Sequence, residues 1–194
     1  MSCRVAYARD HFEDEYPGMF ITIANFLMYQ GAWLAAVMGA GSGKPMLGVA
    51  ASIMVVAWHL NVAARPEAEL RLLVLTALIG GAWETLLVST HWVQYQGSPT
   101  ISLPPAWILA LWIAFATTVN VSLNWLKGRP WLSALFGLIG GPLAWWAGEQ
   151  LGALRLTEEI YSLVVIGSGW AILMPLLSSL GAWADSKAAR GRQA

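Results

Sequence analysis

Apolar segments of membrane-spanning length constrain this chain more than any other feature of its sequence. A helix needs about 20 apolar residues, within a range of roughly 17 to 25, to cross the hydrocarbon core of a bilayer. Six segments meet this requirement, at approximately residues 20–40, 45–63, 68–90, 105–126, 130–149 and 160–183. The sequence therefore predicts an all-α membrane protein, a six-transmembrane-helix bundle.

The overall composition agrees with this prediction. The 194 residues are 57% hydrophobic and only 11% charged, whereas about a quarter of the residues of a soluble domain are charged. The formal net charge is zero, which argues against a nucleic-acid partner because no basic surface is available for phosphates. The single cysteine, Cys3, excludes an internal disulfide and a cysteine-cluster metal site.

The distribution of lysine and arginine predicts the orientation of the bundle. If both termini are cytoplasmic, Lys44 and Arg155 are the only two of the eleven basic residues that lie outside, as the positive-inside rule requires. The chain then divides into a polar or interfacial leader (1–18), a six-helix transmembrane domain (19–184) and a basic cytoplasmic tail (185–194). We expect this domain in a cytoplasmic membrane.

Tryptophan residues occur near many of the predicted helix ends. Tryptophan is enriched at membrane–water interfaces, where its ring lies at the level of the lipid headgroups. The sequence therefore predicts an interfacial belt that includes Trp92, Trp107, Trp125, Trp131 and Trp183.

One predicted helix carries an acid, Glu84, with Thr85 beside it, in the stretch GGAWETLLVST. A charged side chain in the membrane costs about 2.5–3.5 kcal/mol, so such residues normally face the interior of a bundle. Thr76, Gly80 and Glu84 recur every four residues and share one helix face. Glu84 is therefore either a functional group, such as a proton acceptor or substrate anchor, or a neutral acid that hydrogen-bonds a neighbouring helix.

A second polar group maps to the cytoplasmic half of the predicted bundle. It consists of Asn25, His59, Asn61, Asn120, Ser122 and Asn124, with Gln30 lying deeper. Such side chains form either a polar pocket or interhelical hydrogen bonds worth about 0.6 kcal/mol each. A haem would need a second histidine at the depth of His59. Glu84 and His91 lie roughly 10 Å apart along a helix axis, so we predict no cofactor and no metal site.

The fifth predicted helix contains the small-residue sequence GLIGGPLAWWAG. Small residues allow helix backbones to approach closely, either within the chain or across a homodimer. Pro142 removes one backbone hydrogen bond from this helix and leaves a carbonyl group free.

Three segments together resemble a family of bacterial inner-membrane proteins catalogued as domain of unknown function 2878. They are NFLMYQGAWLAAVMGA (25–40), PPAWILALWIAFATTVNVSLNWL (104–126) and FGLIGGPLAWWAGEQLGAL (136–154). The resemblance covers nearly the whole chain except the leader and the tail. The positions that match the family's motifs are Asn25, Gln30, Trp33, Asn120, Ser122, Gly140, Gly141 and Pro142.

The chain departs from its relatives at two places. Relatives tend to have Asp-Ser where this chain has Glu84-Thr85, so a carboxylate and a hydroxyl are kept. Relatives often have histidine at Val121, which puts in doubt any mechanism that needs that histidine. The resemblance implies no activity, but it implies gene neighbours that look like enzymes of fatty-acyl chain modification.

These observations lead to three hypotheses for function. The first is a protein that binds or handles a lipid-like or fatty-acyl molecule, with membrane lipid as its partner, in an intramembrane polar pocket. The second is an enzyme of acyl-lipid modification that uses Glu84 or His59 as acid or base. The third is a small proton-coupled transporter or channel. The predicted ligand-binding residues are Asn25, Gln30, Trp33, Glu84, Thr85, Asn120, Ser122 and Asn124.

Overall fold

The structure is a computed structural model that describes residues 2–98 and 103–190, with the side chains of residues 18–98 and 103–184. Six α-helices and two short strands make up this part of the chain. They are α1 (Ser2–Gly41), α2 (Met46–Val62), α3 (Pro66–Ser89), β1 (Val93–Tyr95), α4 (Ala106–Val119), α5 (Pro130–Gln150), β2 (Leu154–Leu156) and α6 (Glu159–Arg190). The predicted all-α class is confirmed.

Three helical segments are long and apolar enough to cross a membrane, as expected of a membrane protein. They are Gly18–Gly41 of α1, Pro66–Ser89, which is α3, and Glu159–Ala184 of α6. The helices α2 and α4 are apolar but shorter, with 17 and 14 residues.

The fourth predicted span, 105–126, is wrong as a continuous helix. Helix α4 ends at Val119, and a short 3-10 helix follows at Asn124–Leu126. The backbone N–H groups of Val121 and Leu123 both donate to the carbonyl of Thr118, which closes a turn. At 1.5 Å per residue, α4 is about 21 Å long.

Helix α4 is the centre of the bundle. Ten of the thirteen residues from Trp107 to Val119 are buried, and α1, α2 and α3 all pack against this helix. A helix that is apolar on all sides is typical of such a central position.

The loops after α1, α3 and α5 meet at one end of the bundle, which we call the strand end. Strand β1 pairs antiparallel with β2, with Tyr95 opposite Leu154. A side chain at Gly97 would contact Pro45, and one at Gly152 would contact Gly41. Successive helices therefore run in opposite directions.

The opposite end, which we call the histidine end, joins the remaining helix termini. His59 near the end of α2 contacts Glu69 in the first turns of α3. Ser133 at the start of α5 lies 3.4 Å, oxygen to oxygen, from Ser178 near the end of α6.

The predicted leader and tail lie largely outside the described side chains. The backbone of α1 includes residues 2–17 and that of α6 includes residues 185–190. The side chains of residues 1–17 and 185–194 are not among those described, so the division into leader, transmembrane domain and tail stays a prediction.

Candidate ligand cavity and the Glu84 network

Glu84 is fully buried, and both of its carboxylate oxygens accept hydrogen bonds. Tyr95 donates its hydroxyl to one oxygen at 2.5 Å. Trp112 donates its indole N–H to the other at 2.7 Å. Burial of an acid is costly unless its oxygens accept hydrogen bonds. The donors that Glu84 of α3 needs come from β1 and α4.

Tyr95 extends this network to α5. Its hydroxyl oxygen accepts a 2.7 Å hydrogen bond from the indole N–H of Trp145. Burial, followed by the neighbouring Glu84 carboxyl, raises the pKa of the Tyr95 phenol well above its ordinary value. The phenol therefore keeps its proton and acts as the donor to Glu84. We call Glu84, Tyr95, Trp112 and Trp145 the Glu84 network.

A cavity of about 370 Å³ lies among α1, α4, α5 and α6, within the range of about 300–1,000 Å³ that is usual for small-molecule sites. Helix α1 packs on α2 and α4, and α5 packs on α6, so α1 and α5 have few direct contacts with each other. Phe26 on α1 and Phe136 and Leu143 on α5 line the cavity and are also exposed on the protein surface. The cavity therefore borders the apolar outer surface between α1 and α5.

Aromatic rings form much of the cavity wall. Trp112 stacks on Trp170 with ring centroids 4.9 Å apart and an interplanar angle of 17°. Phe115 meets the Trp170 ring edge to face at 5.4 Å, and Tyr29 meets Phe115 in the same way at 5.6 Å. None of the described side chains that line the cavity is charged.

Glycines of α5 make room for this aromatic wall. A β-carbon at Gly141 would approach the Trp170 ring to 2.6 Å, and one at Gly137 would approach the Trp170 carbonyl carbon to 2.7 Å. The small-residue face therefore packs on α6 within the chain at these two positions. The carbonyl of Leu138, which Pro142 leaves without its helical donor, faces Gly167. The possible homodimer through helix five stays a prediction.

The Glu84 network contributes two walls of the cavity without opening its carboxylate to it. Trp112 and Trp145 line the cavity, whereas Glu84 and Tyr95 do not. The carboxylate therefore fixes the orientation of Trp112 directly and that of Trp145 through Tyr95.

Three of the residues predicted to bind ligand line this cavity, namely Gln30, Trp33 and Ser122. The other five do not. Asn25 donates its amide to the Thr117 carbonyl at 3.2 Å, and its own amide oxygen accepts from Ser122 at 2.8 Å. Asn25 thus clamps the turn that ends α4. The Thr85 hydroxyl bonds to the carbonyl of Gly81 in its own helix.

Asn120 belongs to a second buried cluster at the histidine end. It donates its amide to Glu69 at 2.9 Å, and the other Glu69 oxygen lies 3.1 Å from the Nε2 atom of His59. His59 and Glu69 are both buried. We call His59, Glu69 and Asn120 the Glu69 network. Asn124 is exposed, so the predicted inner amides do not form one pocket.

Trp107 is not part of an interfacial belt, contrary to the prediction. Only 1% of its surface is exposed, and its indole N–H donates to the Gln96 carbonyl at 2.9 Å. The Trp107 ring packs edge to face against the Tyr95 ring, with ring centroids 5.6 Å apart. Trp131, by contrast, is 89% exposed, as a belt residue should be.

Sequence reasoning missed several residues of both networks. Tyr95 lies in a predicted loop, and Trp112 and Trp145 read as ordinary apolar residues of their helices. Glu69 lies near Glu67 in the first turns of α3, where the helix dipole stabilises acids. An acid at this position therefore does not by itself indicate a buried network. The available signal was the helical period, because Glu69 precedes Thr76 by seven residues and therefore lies on the same face of the helix as Thr76 and Glu84.

Among the described residues, no three His, Cys, Asp or Glu side chains come together as a metal site requires. A family model described as "Protein of unknown function (DUF2878)" matches residues 22–176. The chain belongs to this family. Comparisons with curated proteins and with solved structures found no match.

Proposed function

We propose that this member of the DUF2878 family is a six-span protein of the bacterial cytoplasmic membrane that binds a lipid-like molecule in the cavity among α1, α4, α5 and α6. The observation that carries the proposal is the cavity itself, which is lined by aromatic rings and uncharged residues and borders the outer surface between α1 and α5.

Six crossings with both termini cytoplasmic agree with the antiparallel arrangement of the helices. Lys44 and Arg155 lie in or beside the strand-end loops, whereas Arg65, Lys127 and Arg129 lie at the histidine end. The positive-inside rule then places the histidine end in the cytoplasm. The turn after α4 is compatible with membrane depth, because irregular backbone is tolerated there when protein covers it.

A lipid fits this cavity better than a polar solute does. Burying apolar surface is favourable by roughly 25 cal/mol per Å², and the aromatic wall offers that surface. The residues that border the mouth, Phe26, Phe136 and Leu143, are apolar and exposed. A lipid chain can therefore enter from the bilayer between α1 and α5 without crossing water.

In this proposal Glu84 is a positioning residue. Its carboxylate holds the Trp112 and Trp145 indoles that the lipid contacts, and it does not itself line the cavity. His59 is also absent from the cavity lining. The enzyme and transporter hypotheses, which require Glu84 or His59 to meet a substrate or a proton path, stay predictions.

Filling the cavity tests the proposal. Gly140 lines it, and a β-carbon there would meet only the Phe136 ring at 4.0 Å. Gly140→Leu therefore places a side chain in the cavity without a clash against the backbone. Gly31→Leu on α1 is the matched control, because Gly31 is also helical, has nothing within 4 Å of a β-carbon and does not line the cavity.

The readout is native mass spectrometry of protein purified in mild detergent, which counts the lipids that remain bound. We expect one bound lipid in the wild type and in Gly31→Leu, and loss of that lipid in Gly140→Leu. Equal lipid occupancy in all three proteins, or none in the wild type, would contradict the proposal.

A further inference from the structure

The polar groups of the cavity carry information about the head of the bound lipid. On α1, Tyr29, Gln30 and Trp33 line the cavity with a hydroxyl, an amide and an indole N–H. Within the described part of the chain, none of these three groups has a hydrogen-bond partner. Trp33 follows Tyr29 by four residues and Gln30 by three, so both are its neighbours on the surface of α1.

Most of the other polar groups of the cavity wall already have hydrogen-bond partners. The indole N–H groups of Trp107, Trp112 and Trp145 are committed to Gln96, Glu84 and Tyr95. The hydroxyls of Thr118 and Ser122 donate to Phe115 and Asn25. Among the described residues of the cavity wall, the uncommitted donors are therefore these three on α1 and the indole N–H of Trp170 on α6. Each of the three groups on α1 can donate a hydrogen bond.

The depth of these donors limits the charge of the head that they can meet. Gln30 lies near the middle of the membrane-spanning segment Gly18–Gly41, about 17 Å from either end. A charged group is costly at that depth, and no described residue of the cavity lining carries a charge to compensate it. A phosphate or a carboxylate is therefore excluded as the group that Gln30 meets.

We propose that the lipid bound in this cavity is uncharged and presents a carbonyl oxygen to the donors of Tyr29, Gln30 and Trp33. This inference rests on the proposed function, and it adds the class of ligand. A carbonyl accepts hydrogen bonds and carries no proton of its own, which matches three free donors. The carbonyl belongs either to an ester, as in a diacylglycerol, or to a quinone ring.

Four probes that differ in the head test the inference by quenching of tryptophan fluorescence in nanodiscs. They are brominated dioleoylglycerol, decylubiquinone, brominated oleate and bromohexadecane, which supply an ester, a quinone, a carboxylate and no acceptor at all. We expect a carbonyl probe to bind about tenfold or more tightly than the other two, as two or more hydrogen bonds in a dry site imply. The tighter of the two carbonyl probes identifies the source of the carbonyl.

Variants on α1 connect this preference to the proposed donors. Gln30→Leu and Tyr29→Phe each remove a donor, and each should reduce the advantage of the carbonyl probe over bromohexadecane by about two- to tenfold. Thr22→Val is the matched control, because the Thr22 hydroxyl is exposed, bonds to Gly18 in its own helix and lies outside the cavity lining. It should leave the advantage unchanged.

The failures of the two proposals give different results. If oleate or bromohexadecane binds as tightly as the carbonyl probes, and Gly140→Leu still abolishes that binding, the inference about the head is overturned while the lipid site stands. If the wild type and Gly140→Leu bind every probe equally, the lipid site itself is overturned and the inference falls with it.

Discussion

Two buried carboxylates on α3 pair with different kinds of side chain. Glu84 near the strand end pairs with the neutral donors of Tyr95 and Trp112. Glu69, fifteen residues earlier and about 22 Å away along the axis, pairs with His59 and Asn120. The Glu69 network joins α2, α3 and the end of α4, whereas the Glu84 network fixes two walls of the cavity.

The comparison shows that burial of an acid in this bundle does not by itself place it in the cavity lining. Each acid pairs with side chains from two other segments of the chain, and neither acid lines the cavity. What distinguishes the two acids is the set of residues that each one orients. The Glu84 network ends at the cavity, and the Glu69 network ends at the helix termini.

The largest expected effect comes from removing an acid altogether. Glu84→Ala leaves the donors of Tyr95 and Trp112 buried and unpaired, which should lower the free energy of unfolding by about 2–6 kcal/mol, at about 1–3 kcal/mol for each donor. Glu69→Ala should destabilise the protein by a similar amount. Lipid occupancy, counted by native mass spectrometry, should fall only in Glu84→Ala.

The control for this pair is Glu67→Ala, because Glu67 is an exposed acid on the same helix. It should change the free energy of unfolding by no more than about 0.5 kcal/mol, as is usual for exposed positions. If Glu69→Ala lost the lipid as completely as Glu84→Ala, the separation of the two networks would be wrong.

Removing the Tyr95 hydroxyl should break the hydrogen bonds that connect Glu84 to Trp145. Tyr95→Phe deprives Glu84 of a donor and leaves the Trp145 N–H without an acceptor, which should cost about 1–3 kcal/mol in chemical unfolding followed by circular dichroism. Tyr161→Phe is the control, since Tyr161 is exposed. Equal stability of the two variants would show that these hydrogen bonds contribute nothing.

Variants of the stacked residues Trp112 and Trp170 distinguish the contribution of a hydrogen bond from that of packing. Both rings are buried and line the cavity, but only Trp112 donates its N–H, to Glu84, while the Trp170 N–H has no partner among the described residues. Trp112→Phe should therefore be less stable than Trp170→Phe by about 1–3 kcal/mol in thermal unfolding. The opposite order would argue against the contact between Trp112 and Glu84.

The smallest effect is expected for the neighbour of Glu84. Thr85→Val removes a hydroxyl that bonds only to Gly81 in its own helix, and such bonds contribute little to stability. Lipid occupancy should not change, and the free energy of unfolding should change by less than about 0.5 kcal/mol. A large loss of bound lipid in Thr85→Val would contradict this prediction and would indicate that Thr85 contributes to lipid binding.

The sequence was sufficient for the helical class and for the burial of Glu84, because both follow from hydrophobic segments and their period. The partners of Glu84 were not predictable, since Tyr95 reaches it from a strand after α3 and Trp112 from a helix 28 residues away. The end of α4 was missed for a similar reason. The segment 120–126 contains no proline or glycine, and Asn25 on another helix fixes the turn.

The cavity illustrates a second limit of sequence reasoning. The amides at 25, 30, 120 and 124 and the hydroxyl at 122 suggest one polar pocket, but Asn25 and Asn120 pair with protein groups, and Asn124 is exposed. The cavity instead arises where α1 and α5 stay apart and glycines of α5 omit side chains. Such a space depends on how whole helices pack, which no single segment specifies.

The role of the Glu84 network is tested most directly by comparing ligand binding in variants of the two acids. Glu84→Gln and Glu69→Gln each replace a carboxylate by an amide of nearly the same shape. Binding of brominated dioleoylglycerol would be measured in nanodiscs by tryptophan quenching, at a temperature where circular dichroism shows both variants folded. We expect several-fold weaker binding in Glu84→Gln, at about 1 kcal/mol for a lost hydrogen bond, and wild-type binding in Glu69→Gln. Equal binding by both variants, or weaker binding in Glu69→Gln alone, would contradict this expectation.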